Sequence, residues 1–423
     1  MVSISACAIM KNEAANLPRW LASVKAFADE IIVVDTGSSD NSREIAAKAG
    51  VRVFDFKWID DFSAAKNFAL EQALGAWIAF PDIDEFFDEV SQKKIRKLLE
   101  NLDSKTDIKG VTCPLYNIDV DDGDKLLSIV VQLRLFRNSS CLRYEGSVHE
   151  TIGRLGQENV YYTQDLRIVH TGYSAHQQRN KSERNLRMLL NRQTRGENPF
   201  DWHYIMDCCY GLGDYKKTVE YARKILSCGI LPESDRKAAW ENWASSLLKE
   251  KAPLPEILKI LDRGKKEYPS FNRLQAMKGL CLYEAELYEE AEPVLRQTLQ
   301  MDKELAAQGR DRSVKDGAGR HLPYVHSCLG LMACNKGRED EALVELLESL
   351  KLNRFQPNIL LLFLFLLEKR RIEAVDQIEI LNNLYDVSRE RTFLVNTLEK
   401  NGGKVWIYYK NKESIMVDEK SPS

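Results

Sequence analysis

Three carboxylates within four positions, Asp82, Asp84 and Glu85, follow a short apolar run, Trp77-Ile78-Ala79-Phe80, with Pro81 at the join. Four apolar residues in a row read as a buried strand. A strand that runs straight into acids delivers negative charge to its carboxyl end, the edge where open α/β sheets bind ligands. On extended backbone alternate side chains point the same way, so Asp82 and Asp84 can both reach one hard cation. Oxygen ligands suit Mg²⁺ or Mn²⁺, usually shared with substrate phosphates. A solvated acidic turn is the plainer reading of an isolated D-x-D, and the residues upstream weigh against it.

Those residues alternate between strand and helix. Ser3 to Met10 reads as a first strand, and Lys11 to Asn16 as a polar loop with Asn12 or Asn16 placed to cap a helix traced by Leu17, Trp20, Leu21 and Val24. Glu30 to Asp35 is a β-branched strand ending in an acid, and Thr36 to Ser42 a turn-rich loop before a helix from Arg43 to Lys48. Val51 to Phe56 is a third strand. Ser63 is placed to cap a helix carrying Ala65, Lys66, Phe68, Ala69 and Ala73, which leads into the acidic strand. This alternation predicts a doubly wound, mostly parallel sheet with Asp35 and Asp84 at one edge. There is no G-x-G-x-x-G and no G-K-[ST], so phosphates would fall to metal and side chains. Lys66, near the start of its helix, can meet an anion together with free backbone N–H groups.

The runs K-N-E, I-I-V-V-D-T-G-S-S-D, W-I-D-D-F-S-A-A-K-N and W-I-A-F-P-D-I-D-E together resemble the GT-A glycosyltransferases of family 2. They are most similar to a subgroup with a D-A-D-E signature that often carries a tetratricopeptide tail and includes enzymes that glycosylate bacteriocin peptides. The resemblance covers roughly the first 175 residues. It implies that Glu13 and Asp35 contact the nucleotide base and ribose, and that Lys66 faces the diphosphate. The subgroup often has Arg there; Lys keeps the charge but loses the bidentate fork. It further implies that Asp82 lies by the ribose and donor sugar and shares the metal, and that Asp84 is a metal ligand. Ile83 replaces the commoner Ala without removing an oxygen ligand. The implied cofactors are Mn²⁺ or Mg²⁺ and a nucleotide sugar, with UDP favoured.

Farther along, Val111 to Tyr116 and Ser128 to Phe136 read as strands around an acidic loop, Asp119 to Asp124, taken as solvated. R-L-F-R at 134–137 and V-H-E at 148–150 also resemble this group, including enzymes of lipopolysaccharide core assembly. Inverting transfer needs a carboxylate to accept the acceptor's proton while the nucleotide leaves from the opposite face, and one such base contributes roughly 10²–10⁴-fold. Glu150 is the candidate base and Glu85 the second. The alternative is that His149 and Glu150 only buttress the site, and only one of two neighbours on an extended strand can face it. His170, in Val169 to Tyr173, stands where many GT-A enzymes have a histidine that completes the metal site; imidazole is compatible with Mn²⁺. A hydrogen-bonded structural histidine is the plainer alternative. Arg179, Lys181 and Arg184 begin a charged helix that either covers the pyrophosphate or is an exposed linker.

The remainder reads as helical and repetitive. Tyr204, Gly211, Tyr215 and Ala222 recur as Gly279, Tyr288 and Ala291, then as Gly330, Gly337 and Ala342. Ala222 and Ala291 lie 69 positions apart, two periods of about 34, the length of a tetratricopeptide repeat. Ile257 marks a degenerate repeat between them, and Ala374 an atypical one after Ala342. Ala306 to Arg320 reads as a polar insertion. Such helix pairs stack into a solenoid whose concave face suits a peptide or another subunit. Asn401-Gly402-Gly403 suggests a terminal hairpin, and Asp418 to Ser423 a disordered end.

The expected fold is therefore α/β followed by all-α: a GT-A (Rossmann-like, mostly parallel) domain over 1–175 and a linker helix over 176–198. Helical repeats follow over 199–390, then a terminal hairpin and tail over 391–423. With 60 basic and 63 acidic residues the net charge is -3, which argues against a nucleic-acid binder and a polybasic membrane patch. Nine scattered cysteines without a C-x-x-C pair suggest reduced thiols and a cytoplasmic setting. The start lacks a basic n-region, and the longest apolar run, Ile359 to Leu367, is too short to span a bilayer. The function that fits is metal-dependent sugar transfer to a Cys, Ser or Thr side chain of a peptide or protein presented by the repeats, which can also dimerise. The alternatives are transfer to a cell-surface glycan and a non-catalytic repeat scaffold that binds sugar nucleotides.

Overall fold

The computed structural model describes residues 2–418 apart from 123–124, 149, 154, 173–174, 195, 310–314 and 400–401. The chain divides into two compact units, Met1–Asp214 and Tyr215–Ser423.

In the first unit, β1 (Ile4–Met10), β2 (Glu30–Asp35), β3 (Arg52–Asp55) and β4 (Trp77–Ala79) run parallel in the order β3-β2-β1-β4. Helices α1 (Leu17–Lys25), α2 (Ser42–Lys48) and α3 (Phe62–Glu71) join them. Both faces of β1 are covered, one by Leu17, Trp20, Leu21 and Val24 of α1 and the other by Ala69 and Leu70 of α3. Cover on both sides is why Ile4 to Met10 is almost continuously apolar. Asp61, not Ser63, caps α3: its carboxylate accepts from the Ala64 N–H at 2.9 Å. Ser63 lies within the first turn and its hydroxyl donates to the Gly146 carbonyl. Asn16 stands at the N-cap of α1 without capping it, its amide instead donating to Glu13 at 2.9 Å.

The sheet continues through β5 (Glu85–Phe87), β6 (Gly110–Asp119), β7 (Lys125–Arg137), β10 (Val160–Tyr162) and β11 (Ile168–His170), with α4 (Glu89–Asp103) between β5 and β6. The full order is β3-β2-β1-β4-β7-β6-β11-β5, with β10 beside β6. β7 runs antiparallel to both β4 and β6, and a two-stranded ribbon of β8 (Tyr144–Glu145) and β9 (Thr151–Ile152) stands apart. Helices α5 (Ala175–Gln193) and α6 (Trp202–Leu212) also belong to this unit. The expected boundary at 175 therefore moves to Asp214, and the expected linker helix is part of the first unit.

The second unit is built of α7 (Tyr215–Ser227), α8 (Glu233–Lys249), α9 (Leu254–Glu267), α10 (Asn272–Glu284), α11 (Tyr288–Ala307), α12 (Leu322–Asn335), α13 (Glu339–Leu352), α14 (Pro357–Lys369) and α15 (Ala374–Leu384). Small residues set how closely the helices approach. Ala222, Ala291 and Ala342 are fully buried, and a Cβ at Gly279 or Gly330 would run into Leu295 or Leu346. Ile257 is buried in the degenerate repeat and Ala374 half-buried in the last. The polar insertion has an anchor: Asp316 is fully buried, 2.5 Å from Lys237 Nζ and 3.1 Å from Ser270 Oγ. α14, which holds the longest apolar run, buries Leu360, Phe363, Leu364, Leu366 and Leu367. Among the described residues no helix is long and apolar enough to cross a membrane.

The expected terminal hairpin is not formed. The segment folds as α16 (Val387–Leu398) and α17 (Gly403–Asp418), because Val405 and Tyr409 are buried at helical rather than alternating spacing. Gly402 and Gly403, at φ of 61° and 85°, supply the left-handed backbone between the two helices. Residues 419–423 of the expected disordered tail lie outside the described residues.

Candidate active site

A cavity of about 490 Å³ collects side chains from the β4–β5 loop, α3, β7, β11 and α5 of the first unit. Beyond Phe80, whose N–H donates to the Arg134 carbonyl at 2.8 Å, the backbone leaves the sheet. Trp20 Nε1 donates to the Pro81 carbonyl at 3.1 Å, and Glu85 N–H to the Asp82 carbonyl at 2.8 Å, so Asp82 to Glu85 is a turn. That overturns the extended backbone expected here. The two aspartates meet different partners.

Asp82 belongs to a row of alternating charge. Lys66 Nζ lies 2.7 Å from Glu150 Oε1 and 2.8 Å from Asp82 Oδ1. Arg134 Nη2 is 3.2 Å from Asp82 Oδ2, and the same guanidinium grips Glu85 with Nε to Oε2 at 2.6 Å and Nη2 to Oε1 at 2.7 Å. The register shift between Val111↔Leu135 and Thr112↔Leu133 leaves Arg134 without an opposite residue on β6, a bulge that re-aims its side chain. Burial alone would push the Lys66 ammonium down in pKa, but Asp82 and Glu150 outweigh it and hold it above the usual lysine range. Burial would likewise raise Asp82, yet Lys66 and Arg134 hold its carboxyl below the usual range.

The row ties three expected site residues to one another. Lys66 has a side chain only 4% exposed, 5.3 and 5.2 Å from the Phe80 and Tyr144 rings, and it bridges two carboxylates at the cavity wall. Glu85 is not available as a base, since both of its oxygens are held by one guanidinium fork and Oε2 also accepts from the Asp82 N–H at 3.0 Å. Asp82 gives one oxygen to each of two cations, Lys66 and Arg134.

Asp84 turns toward His170 and α5. Its Oδ2 lies 3.2 Å from His170 Nε2 and 2.9 Å from Lys181 Nζ, and its carbonyl accepts from Thr171 N–H at 3.0 Å. Burial would raise the Asp84 carboxyl, but His170 and Lys181 together drive it far below the usual range. Asn117 donates from Nδ2 to Ser128 Oγ at 2.8 Å, which turns its Oδ1 to His170 Nδ1, also at 2.8 Å. In this network Nδ1 donates to the Asn117 oxygen, which turns the ring so that Nε2 meets Asp84 Oδ2. Ligating histidines are oriented by such a bond from the other nitrogen. A Cβ on Gly172 would land between Asp84 Oδ2, Lys181 Nζ and His170 Nε2, so the glycine keeps that space open. A carboxylate oxygen and an oriented imidazole fit a Mn²⁺ or Mg²⁺ ion whose other ligands are phosphate and water. Among the described residues no group of three or more His, Cys, Asp and Glu forms a cage by itself.

Residues 5–161 match the model of Glycosyl transferase family 2, a stretch that contains the acidic turn, Lys66, Arg134 and Glu150. They are a family 2 domain. A TPR repeat-containing protein of Synechococcus elongatus is 38% identical over 152 residues, 36% of each chain. The SPbeta prophage-derived glycosyltransferase SunS of Bacillus subtilis is 27% identical over 225 residues, 52% of each. An uncharacterized glycosyltransferase of Rickettsia felis is 39% identical over 95 residues, 22% of this chain and 33% of that one. The chain thus spans about a third to a half of the length of these curated relatives.

The family 2 match ends before His170, Lys181 and Arg184, so residues C-terminal to it complete the cavity. Arg184 lies 4.9 Å from the Phe62 ring, and burial lowers its pKa; Arg179, by contrast, is exposed beside Glu183. Glu13 lines the cavity, and burial pushes its carboxyl up. Asp35 is not among the lining residues: it is buried, 3.1 Å from Arg43 Nη1, and accepts from the Ser38 N–H. His149 lies outside the described residues. The roles of Arg134, Asn117 and Gly172 were not anticipated. Only R-L-F-R and the glycine two positions after His170 signalled two of them.

Proposed function

We propose that the chain is a metal-dependent inverting glycosyltransferase that moves a sugar from a UDP-linked donor to a Cys, Ser or Thr side chain of a peptide or protein. The supporting observation is the placing, in one cavity, of an oriented Asp84–His170 pair beside the fixed row from Glu150 to Glu85. Asp84 and His170 would hold the Mn²⁺ or Mg²⁺, which when bound neutralises the diphosphate and stabilises the departing nucleotide. Lys181 and Arg184 add positive charge on the same side. Asp82, fixed by Lys66 and Arg134, orients the donor sugar, and Glu13 lies where the nucleotide base would sit.

Glu150 accepts the proton of the attacking O–H or S–H. The nucleophile's lone pair forms the new bond to the anomeric carbon, and the old C–O bond breaks with its electrons leaving on UDP. A thiol, of pKa about 8.5, asks less of this base than a hydroxyl. The helical repeats would recruit the acceptor and support self-association. Nine scattered cysteines fit a cytoplasmic setting.

The test is nucleotide release from a panel of UDP- and GDP-sugars, with Mn²⁺ or chelator and no acceptor. Slow, metal-dependent hydrolysis of one UDP-sugar is expected, and Asp84→Ala should reduce it roughly 10²-fold or more. No release from any donor, with no donor-induced rise in melting temperature, would sink the proposal and favour the scaffold.

A further inference from the structure

Strand β7 changes character along its length. From Leu133 to Arg137 it is interior: β4 pairs with Leu135 to Arg137, and Leu135 and Phe136 are buried. From Leu126 to Val131 it is apolar and exposed, with Leu126 at 44%, Leu127 at 44%, Ile129 at 52%, Val130 at 38% and Val131 at 48%. Neighbours on a strand point to opposite faces, so both faces are open. One edge is held by β6, from Asp119↔Lys125 to Thr112↔Leu133. Among the described residues no strand pairs with the other edge between Lys125 and Leu133. Leu126-Leu127-Ser128-Ile129-Val130-Val131 has no charge and no proline, a composition that sheets leave on an open edge only where something covers it.

The chemistry of that edge selects its occupant. It offers a row of backbone donors and acceptors between apolar side chains, which matches an extended polypeptide with apolar alternate residues. A glycan lacks the apolar side chains, and a lipid tail lacks the hydrogen bonds. The edge is continuous with the cavity: Val130, Gln132 and Arg134 of β7 line it together with Glu150 and Asp84. At the other end of the hairpin Asp119 and the exposed Asp121 favour a basic residue.

We propose that the acceptor polypeptide adds to this edge of β7 as an extended strand that leads its reactive side chain into the cavity. The assignment rests on the glycosyl-transfer function proposed above and adds the mode of recognition. Backbone pairing reads little sequence. The acceptor therefore needs alternating apolar residues near a Cys, Ser or Thr, and a Lys or Arg beyond them.

The test selects random short peptides, each with one Cys, Ser or Thr, by display on the full chain. Enriched peptides should alternate apolar residues and lose about tenfold or more in affinity when alternate peptide nitrogens are methylated. They should lose as much on the variant Ile129→Lys/Val131→Lys, whose altered residues do not line the cavity and whose acceptor-free donor hydrolysis should equal wild type. Failure to enrich any peptide, or enriched peptides indifferent to both changes, overturns the proposal while intact hydrolysis leaves the glycosyl-transfer function standing. A wild-type dimer that the variant splits, seen by light scattering, overturns it in favour of a second copy on this edge.

Discussion

The charged side chains that line the cavity of the first unit are mutually dependent, whereas the side chains between the helices of the second are mostly apolar and independent. Lys66 has carboxylates on both sides, Asp82 and Glu150, and Arg134 shares Asp82 and adds Glu85. Leu346, fully buried, fills the space over Gly330, and Leu295 the space over Gly279. Removing Lys66, whose own side chain is buried, leaves Asp82 and Glu150 facing each other without their shared cation. Removing a leucine leaves a hole whose cost depends only on how far that seam collapses.

The largest effect should follow Lys66→Met, at about 3–5 kcal/mol of unfolding free energy in urea. Adding Asp82→Asn should cost less than the two single changes summed. Strict additivity there would contradict the mutual dependence. Leu346→Ala should cost about 2–5 kcal/mol, and Leu295→Ala should add to it independently.

Glu241 tests the exception, since the second unit has buried charge there. Burial would raise its carboxyl, but His321, Arg273 and Arg320 outweigh that and push it down to about 2 from 4.5. A depressed carboxyl stabilises fully above its ordinary value, and that stability is lost as pH falls through the folded value. Urea midpoints should therefore drop between pH 4.5 and 2, and Glu241→Gln should flatten that limb. The smallest effect is expected at the exposed Arg179–Glu183 pair. Arg179→Ala should change stability by less than about 0.5 kcal/mol and leave nucleotide release unchanged; a tenfold loss of release would bring that face of α5 into the site.

The parts of this molecule visible in the sequence are those written locally. Strands β1 to β4 announce themselves by short, largely apolar runs, and Asp84 by its place soon after one. The repeat period survives because Ala222, Ala291 and Ala342 must each be small for the same reason. What stayed hidden depends on partners distant in the chain. Lys66 looks like an anion contact until Glu150, 84 residues on, is brought beside it. Glu85 looks like a free acid until Arg134 closes on it, and nothing local to Asp35 announces its pairing with Arg43. Asn401-Gly402-Gly403 carried a correct turn signal, but the flanking side chains, not the turn, decide between strand and helix.

The alternation of sign from Glu150 through Lys66, Asp82 and Arg134 to Glu85 also bears on timing. Around a sugar nucleotide in water, solvent dipoles must rotate as charge moves onto the leaving group, and that rotation is part of the barrier. A row of ion pairs locked by packing has finished rotating by the time the chain is folded. The electric field that the proposed donor would meet is then a property of the resting protein, present before any substrate arrives.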